Sequence, residues 1–224
     1  YELKNDFFEF VTADEWTSVA TDSGTISVLD GVGGRVTINA SDGTVVDNDQ
    51  SLFHSTRELF LVADEKPIHF KARTQYTEAN TDDANVFIGL VNAPAAELLV
   101  DDGAGVKTTG NYFCFFKIDG GTTWQVRSRN STDTETHDTG ITAGGASFQK
   151  FEIEINNEGD GATNARVTYK IDGVQCIDAT TARPIVHSIA IASSTEMAAC
   201  FSIKNGSANA EVLVVDYVAC VQTR

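Results

Sequence analysis

The segment Asn111–Arg129 constrains the fold of this chain more than any other. Two β-rich runs are joined there by an Asp-Gly-Gly turn, a pattern typical of a β-hairpin. The first run is apolar on both faces over most of its length, with Tyr112, Cys114, Phe116 and Ile118 on one face and Phe113, Phe115 and Lys117 on the other. Because successive side chains of a strand point to opposite sides, this strand must be covered on both. The pattern predicts a strand inside a two-layer sandwich rather than in a single sheet.

Alternation of apolar and polar residues recurs along the whole chain, and helical periodicity is nearly absent. This pattern predicts an all-β fold, a two-layer antiparallel β-sandwich. Further elements are predicted as a hairpin over Thr25–Asn39, strands at Leu59–Val62, Ile68–Tyr76, Val86–Val91 and Phe151–Ile155, and a hairpin over Arg166–Ile177 that turns at Asp172-Gly173.

Three local predictions concern the remaining segments. Asn92–Leu99 is predicted to form one short helix, with Pro94 in its first turn. The segment Asn130–Gly140 is rich in serine, threonine and aspartate, which predicts a long polar loop. Met197–Lys204 and Glu211–Val221 are predicted to form a C-terminal hairpin, and the second strand is apolar on both faces, which indicates a central strand.

The four cysteines, Cys114, Cys176, Cys200 and Cys220, lie in or beside apolar runs without Cys-x-x-Cys spacing. Buried free thiols are therefore the favoured interpretation. Cys200 and Cys220 lie on the two strands of the predicted C-terminal hairpin, so a cross-strand disulfide is the alternative in an oxidising compartment. The sequence leaves both open, because a disulfide depends on a Cα separation that sequence does not give.

The length and net charge of the chain limit the number of domains and the classes of partner that can be expected. A chain of 224 residues without a linker-like segment predicts a single domain, residues 1–224, with residues 1–20 as an N-terminal arm or edge strand. Sixteen basic and thirty-two acidic residues give a net charge of −16, which excludes nucleic acid and anionic membrane surfaces as expected partners. The sequence starts at Tyr1 rather than methionine, so we expect either that a leader has been removed or that the given chain begins late.

The order of elements from Asn85 to Arg224 resembles the concanavalin A-like jelly roll of legume lectins, laminin G-like modules and many virion proteins. The residues that carry the resemblance are Val86–Leu90, the hairpin Tyr112–Arg129 with Trp124, Phe148–Asn156, Val167–Gly173 and Val215–Val218. A strand, an Asp-Gly turn and a strand after a Phe-x-Ile-x-Ile strand, closing on Val-Asp-Tyr-Val, is similar to modules of bacteriophage structural proteins. The resemblance is a pattern of strands, so it concerns the fold first.

Glu152 and Glu154 are the candidates for catalysis. They lie two residues apart on a predicted strand, so their carboxylates share a face, as the paired acids of glucanases must. The glucanases of the resembled superfamily carry Glu-x-Asp-x-Glu, whereas this strand has two acids and ends in Asn156. A solvated strand face is the favoured interpretation, and the sequence has neither a Gly-x-Ser-x-Gly motif nor a phosphate-binding glycine loop. The chain is predicted not to be an enzyme.

Several acidic segments and four histidines contain atoms that could bind a metal ion. Asp47-Asn48-Asp49 with Ser51 and Glu58 has the spacing of an EF-hand loop, but Leu52 stands where that loop needs glycine, which excludes it. Calcium is the one cofactor considered, at the acidic turns Asp82-Asp83, Asp101–Gly103 and Glu158–Gly161, although ordinary turn chemistry is the favoured explanation. No histidine lies three to five residues from another histidine or a cysteine, so the spacing predicts no zinc site.

Two groups of residues are candidates for binding. Trp124, Arg127, Arg129 and His137 form a candidate glycan surface, because sugars stack on aromatic rings and hydrogen-bond to planar charged groups. Strand parity favours the alternative, in which Trp124 points inward and the arginines form an ordinary exposed stripe. In the N-terminal arm, Phe7, Phe8 and Phe10 are expected either to seal the edge of the sandwich or to anchor a partner.

The resemblance implies a non-enzymatic bacteriophage virion protein, either a capsid decoration or cement protein or an accessory head or tail protein. Its partners would be capsid or other virion proteins and copies of itself, and its location the virion, assembled in the host cytoplasm. The alternative function is a lectin-like module that binds host receptor glycans. A polysaccharide hydrolase or lyase is retained as a third hypothesis.

Overall fold

The computed structural model describes residues 1–9, 14–21, 24–29, 33–41, 44–63, 65–78, 83–103, 105–130, 133–145, 147–156, 163–190 and 195–223. Phe10, Asp82 and the turn Glu158–Gly161 lie outside the described residues. Within these ranges the secondary structure consists of strands, and no helix there is long and apolar enough to span a bilayer.

The strands are β1 Glu2–Asn5, β2 Trp16–Ala20, β3 Thr25–Leu29, β4 Arg35–Asn39, β5 Gln50–Ser55, β6 Phe60–Val62, β7 Ile68–Thr77, β8 Ala84–Val91, β9 Tyr112–Lys117, β10 Thr123–Asn130, β11 Asp133–Thr142, β12 Gln149–Asn156, β13 Asn164–Ile171, β14 Val174–Gln175, β15 Val186–Ala190, β16 Thr195–Asn205 and β17 Val212–Gln222. They form two antiparallel sheets. A nine-stranded sheet has the order β14-β13-β12-β7-β17-β4-β3, with β1 also on β17 and β15 on β13. An eight-stranded sheet has the order β11-β10-β9-β8-β16-β5-β2, with β6 also on β16. The predicted two-layer antiparallel β-sandwich is confirmed.

Aromatic side chains fill the space between the two sheets. Phe115 of the eight-stranded sheet packs edge-to-face on Phe151 and Tyr169 of the other, with ring centroids 5.0 and 5.3 Å apart. Trp124 packs on Phe151 in the same way at 4.9 Å. Rings in this geometry contribute about 0.5–1.5 kcal/mol per pair beyond their burial. The contacts join β9 and β10 to β12 and β13, so the predicted hairpin packs directly against the other sheet.

The predicted hairpin over Asn111–Arg129 is confirmed as β9 and β10, which pair antiparallel with Phe115 opposite Val126. All six residues of β9 are buried. Phe113 and Phe115 face the inter-sheet core, whereas Tyr112, Cys114 and Phe116 belong to a second apolar cluster on the outer face of the sheet. The requirement for cover on both sides, inferred from the sequence, is therefore met.

The cover on the outer face is the segment between β8 and β9, described over residues 92–103 and 105–111. Its Leu98, Leu99 and Val106 are fully buried against β8 and β9. The helix predicted over Asn92–Leu99 is wrong, because Ala93 and Glu97 have φ values of 48° and 62°, which are incompatible with a right-handed helix. The apolar residues there pack down onto a sheet, and this packing overrides helical propensity.

Lys204 binds the covering segment through a hydrogen bond and two ion pairs. Its side chain on β16 is fully buried, and Nζ donates a hydrogen bond to the Leu99 carbonyl at 3.0 Å. The ammonium group also forms ion pairs with Glu97, at 3.2 Å, and with Asp101. A buried ammonium group requires such partners, because its desolvation is otherwise very costly. The covering segment is thus attached through charge as well as through apolar packing.

Two further predictions are wrong in the described residues. The segment predicted as a polar loop, Asn130–Gly140, mostly forms β11, which pairs with β10. Its nearly continuous polar sequence hid the strand, although polar residues are common on an exposed edge strand. The C-terminal hairpin is also wrong, because β16 belongs to the eight-stranded sheet and β17 to the nine-stranded one. The prediction that β17 is central is confirmed, since it lies between β7 and β4.

The cysteines are free and buried, as favoured. Cys220 lies in the core between the sheets, whereas Cys200 lies in the outer cluster beneath the covering segment, so the alternative disulfide is wrong. Strict alternation predicts that one face of β17 carries Val212, Val214, Val218 and Cys220 and the other carries Leu213, Val215, Tyr217 and Val221, and this assignment is wrong beyond Val215. A β-bulge between Val215 and Tyr217 shifts the alternation, so that Val218 rather than Tyr217 continues the buried face.

The N-terminal arm separates its phenylalanines. β1 pairs with β17, and Phe7 is fully buried against Trp16 and Phe53, at centroid distances of 5.3 and 5.9 Å. Phe8 is 74% exposed. Phe7 therefore seals the edge of the sandwich, whereas Phe8 is presented to solvent.

Gly34 allows the backbone of the N-terminal arm to pack closely against it, because glycine has no Cβ atom. A Cβ atom there would lie 2.1 Å from the backbone of Phe7 and Phe8, closer than atoms can approach. We expect Gly34→Ala to displace Phe7 and to lower the free energy of unfolding by about 2 kcal/mol or more, measured by urea denaturation. Because Phe7→Ala undoes the same packing, the double variant should be much less destabilised than the sum of the two single variants. Additive effects would contradict this explanation.

Candidate functional site

The predicted glycan residues do not form one surface. Trp124 is 1% exposed and faces the inter-sheet core, where its Nε1 donates a hydrogen bond to Gln149 Oε1 at 2.8 Å. This is the inward placement that strand parity favoured. The indole ring therefore offers no face on which a sugar could stack.

Arg127 and Arg129 point outward, and both bind the covering segment. The Arg127 guanidinium lies over the Phe116 ring at 4.8 Å and donates to the Val106 carbonyl at 3.1 Å. Arg129 donates from Nε to the Gly110 carbonyl at 3.0 Å. These contacts give the two arginines a structural role in holding residues 105–110 against β10.

His137 belongs to a different constellation, at the edge of the sandwich. β11 is the edge of the eight-stranded sheet, and β15 lies at the edge of the nine-stranded one. Glu135 and His137 on β11 are opposite Ser128 and Val126, so they share the inward face of β10 and meet His187 of β15. The rings of His137 and His187 are 5.2 Å apart. We call Glu135, His137 and His187 the sheet-edge cluster.

Each histidine of the sheet-edge cluster has a defined partner. His187 is fully buried, and its Nδ1 lies 2.7 Å from Ser128 Oγ. Burial first, and the neighbouring His137 second, lower the pKa of His187 to about 3, so its ring is neutral near pH 7. His137 Nδ1 lies 2.7 Å from Asp178 Oδ2, and hydrogen bonds from His137 and Thr181 lower the pKa of Asp178 to about 2.

The sequence signal for this cluster was weak. The sequence predicts His137 as part of a glycan surface but gives no signal for Glu135, Asp178 and His187, because spacing along one segment reveals only ligands that lie on that segment. Glu135 and His137 do have the i, i+2 spacing that puts two side chains on one face of a strand. Their third partner comes from the other sheet, which sequence spacing cannot reveal.

Glu152 and Glu154 form a second polar cluster, on the outer face of the nine-stranded sheet. Lys71 Nζ lies 3.2 Å from Glu152, and Lys170 Nζ lies 2.8 Å from Glu154. His69 Nε2 lies 3.3 Å from Glu152 and 3.6 Å from Glu154. The hydrogen bond from Lys170 is the main cause of a lowered pKa of Glu154. A glycosidase needs one carboxyl group with a raised pKa as its acid, and Glu154 is shifted in the opposite direction.

Two of the acidic residues proposed as calcium ligands, Asp101 and Asp83, contact other protein groups. Asp101 pairs with Lys204, and Asp83 Oδ2 accepts a hydrogen bond from Ser207 at 2.7 Å. In the sequence segment compared with an EF-hand, Asp49 Oδ2 accepts from the Val46 amide at 3.0 Å. The contact of Asp49 with the Val46 amide is that of an ordinary turn, whereas Asp101 pairs with the buried ammonium group of Lys204.

Comparison with known proteins identifies the fold. No family model and no curated protein matches the sequence. Among solved structures, the carbohydrate recognition domain of Emp47p is similar over 100% of this chain and 96% of its own, with a TM-score of 0.60 at 12% identity. An endo-1,3-β-glucanase from Streptomyces sioyaensis is similar over 98% of this chain and 95% of its own, with a TM-score of 0.63 at 13% identity. A Lotus tetragonolobus seed lectin covers 100% and 98%, with a TM-score of 0.59 at 9% identity.

These similarities confirm the concanavalin A-like jelly roll inferred from the strand pattern. At such low identity they concern the fold alone. The neighbours include sugar-binding domains and an enzyme, so the function must be argued from the residues of this chain.

Proposed function

We propose that this protein is a non-enzymatic structural component of a bacteriophage virion that acts through protein–protein contacts. The observation that carries the non-enzymatic part is the pairing of Glu152 with Lys71 and of Glu154 with Lys170, which opposes the protonated acid that glycoside cleavage needs. The virion assignment is supported by the resemblance of the strand pattern to bacteriophage structural modules. Its partners would be capsid or other virion proteins, or further copies of this chain.

Phe8 is the residue that we assign to partner contact. A ring that is 74% exposed beside a fully buried neighbour has no role in the core of this chain. Phe8 borders a depression with Gly33, Asp216 and Tyr217, so a partner side chain could pack against both the ring and the sheet. Exposed aromatic residues are enriched among the residues that dominate interface energetics.

Purified virions provide the test. We expect mass spectrometry to find this chain in the particle fraction at a fixed copy number relative to the major capsid protein. Particles assembled with Phe8→Ser should contain several-fold less of it, with an unchanged Tm of the free protein. Val174→Ser is the matched control, because Val174 is 68% exposed at a distant sheet edge. Recovery of the chain only outside the particles would refute the proposal.

Glycan binding is the second candidate, favoured by full-length similarity to the Emp47p carbohydrate recognition domain and to a seed lectin. The Trp124 ring cannot serve it and His137 lies on the opposite face of the sheet, so the partly exposed Arg129 is the group left for a sugar. On a glycan array, a lectin should lose specific binding in Arg129→Ala and keep it in Lys150→Ala, an exposed residue on β12. An array without any bound glycan would count against this function.

The enzymatic hypothesis has its own assay. We expect no cleavage of a panel of β-glucans and polyuronates by the wild-type protein. Turnover that disappears in Glu152→Gln would show that the ion pairs described above do not prevent catalysis, and the non-enzymatic proposal would then be wrong.

A further inference from the structure

We propose that Glu135, His137 and His187 bind a divalent transition-metal ion, with zinc as the expected metal. One ligand atom from each residue lies within 4.8 Å of the others. Zinc with bonds of about 2 Å to nitrogen and oxygen holds its ligand atoms roughly 3.3 Å apart in a tetrahedron. Small rotations of Glu135 and His137, which are partly exposed on an edge strand, would bring the three groups onto one ion.

His187 supplies the independent observation. Its Nε2 is buried and has no hydrogen-bond partner among the described residues, although unpaired buried polar atoms are rare and costly. This nitrogen is the atom that can face Glu135 and His137, since Nδ1 is held by Ser128. A bound cation would satisfy it without any change to the core.

A chain of hydrogen bonds fixes the state of that nitrogen. Tyr169 donates its only hydroxyl proton to the Arg127 carbonyl at 3.0 Å, so it can only accept from Ser128 Oγ, 2.7 Å away. Ser128 has then used its own proton, and Nδ1 of His187 must be the donor to Ser128 Oγ. Nε2 therefore carries a lone pair directed at the sheet-edge cluster, which is the form of imidazole that binds metals.

The tautomer of His137 is also fixed by a hydrogen bond at Nδ1. The ionised Asp178 carboxylate can only accept, so His137 Nδ1 donates to it and Nε2 is left as the ligand. A histidine held by a carboxylate through its second nitrogen is the usual outer arrangement of a zinc ligand. Glu135 Oε1 accepts from the Ser188 amide at 2.8 Å, and we assign Oε2 to the ion.

The donor set selects the kind of ion. Two imidazole nitrogens and one carboxylate oxygen suit zinc and its neighbours in the transition series, whereas calcium prefers six to eight oxygen ligands. Three protein ligands leave a fourth position for water or for a group from a partner. Because Glu135 and His137 come from one sheet and His187 from the other, the ion would join the two sheet edges.

The other histidine and carboxylate group, His69 with Glu152 and Glu154, provides the control. Its ligand atoms also lie within 4.8 Å of one another, but Lys71 and Lys170 already neutralise the two carboxylates. His69→Ala and His137→Ala thus remove one partly exposed imidazole each from two three-residue clusters of histidine and glutamate. His187 is left intact in the experiment, because its replacement would disturb the core.

The full chain, treated with a chelator and dialysed, is titrated with zinc chloride by calorimetry and melted with and without zinc. We expect one ion per chain and a higher Tm with zinc. We also expect a loss of affinity of more than tenfold in His137→Ala, a loss of about 10–100-fold in the positioning variant Asp178→Asn, and unchanged binding in His69→Ala. Cobalt should give the visible absorption of a tetrahedral site in wild type and in His69→Ala, but not in His137→Ala. Absence of stoichiometric zinc, or binding that survives in His137→Ala or is lost in His69→Ala, would overturn the proposal.

Discussion

Phe7→Ala should lower the free energy of unfolding by about 3–5 kcal/mol, the range for truncating a fully buried phenylalanine. The ring is completely buried and packs on Trp16 and Phe53, which themselves stack at 4.5 Å. Its backbone has a φ of 50°, and its amide donates to Asn5 Oδ1 at 2.7 Å. Without the ring, the folded chain loses the packing energy that offsets the cost of the positive φ at residue 7.

The adjacent Phe8 is the control for this prediction. Phe8→Ala should change the free energy of unfolding by less than about 0.5 kcal/mol, because the ring is mostly exposed. Urea denaturation of the two variants measures the difference directly. Equal stability of Phe7→Ala and wild type would mean that the arm is not part of the folded sandwich, and the edge-sealing role would be wrong.

Removing the two acids around Lys204 should destabilise the protein more than removing the lysine itself. In Glu97→Gln with Asp101→Asn, a fully buried ammonium group loses both charged partners. We expect a cost of about 3 kcal/mol, at the low end for breaking a buried pair because solvent reaches the carboxylates. In Lys204→Met, the charge is gone, the volume is retained and the acids are free to be solvated, so a loss of about 1 kcal/mol is expected.

Thermal unfolding of the two variants at one pH and salt concentration measures this order. Limited proteolysis adds a local measurement, since the double variant should be cut faster between residues 92 and 111. If Lys204→Met were the less stable protein, Coulomb attraction rather than desolvation of the lysine would dominate the site.

Patterns within one segment of the sequence predicted much of the fold. Apolar residues on both faces of Tyr112–Lys117 predicted a strand that is covered on both sides, and the Asp172-Gly173 turn predicted a tight hairpin. The structure contains both features. The errors lie where neighbours from elsewhere decide the structure. Leu98 and Leu99 look helical in isolation, and only the apolar outer face of β8 and β9 explains their non-helical path.

The candidate site was harder to predict for the same reason. Strand parity placed Trp124 correctly in the core, because one β-strand suffices for that inference. It could not bring His137 to His187, since the two residues meet only where the edges of different sheets come together. A bulge such as the one before Tyr217 also reverses every assignment beyond it, and nothing in the local sequence marks its position.

The position of β17 has a consequence for how the protein is made. Every other strand of the nine-stranded sheet precedes it along the chain, yet β17 lies between β7 and β4 and also carries β1. A growing polypeptide on the ribosome therefore holds two separate half-sheets until residues 212–222 emerge, and the pairs of β17 with β7, β4 and β1 that join the sheet can form only then. Nascent chains stalled before residue 212 should remain sensitive to protease, and the released chain should become resistant within seconds.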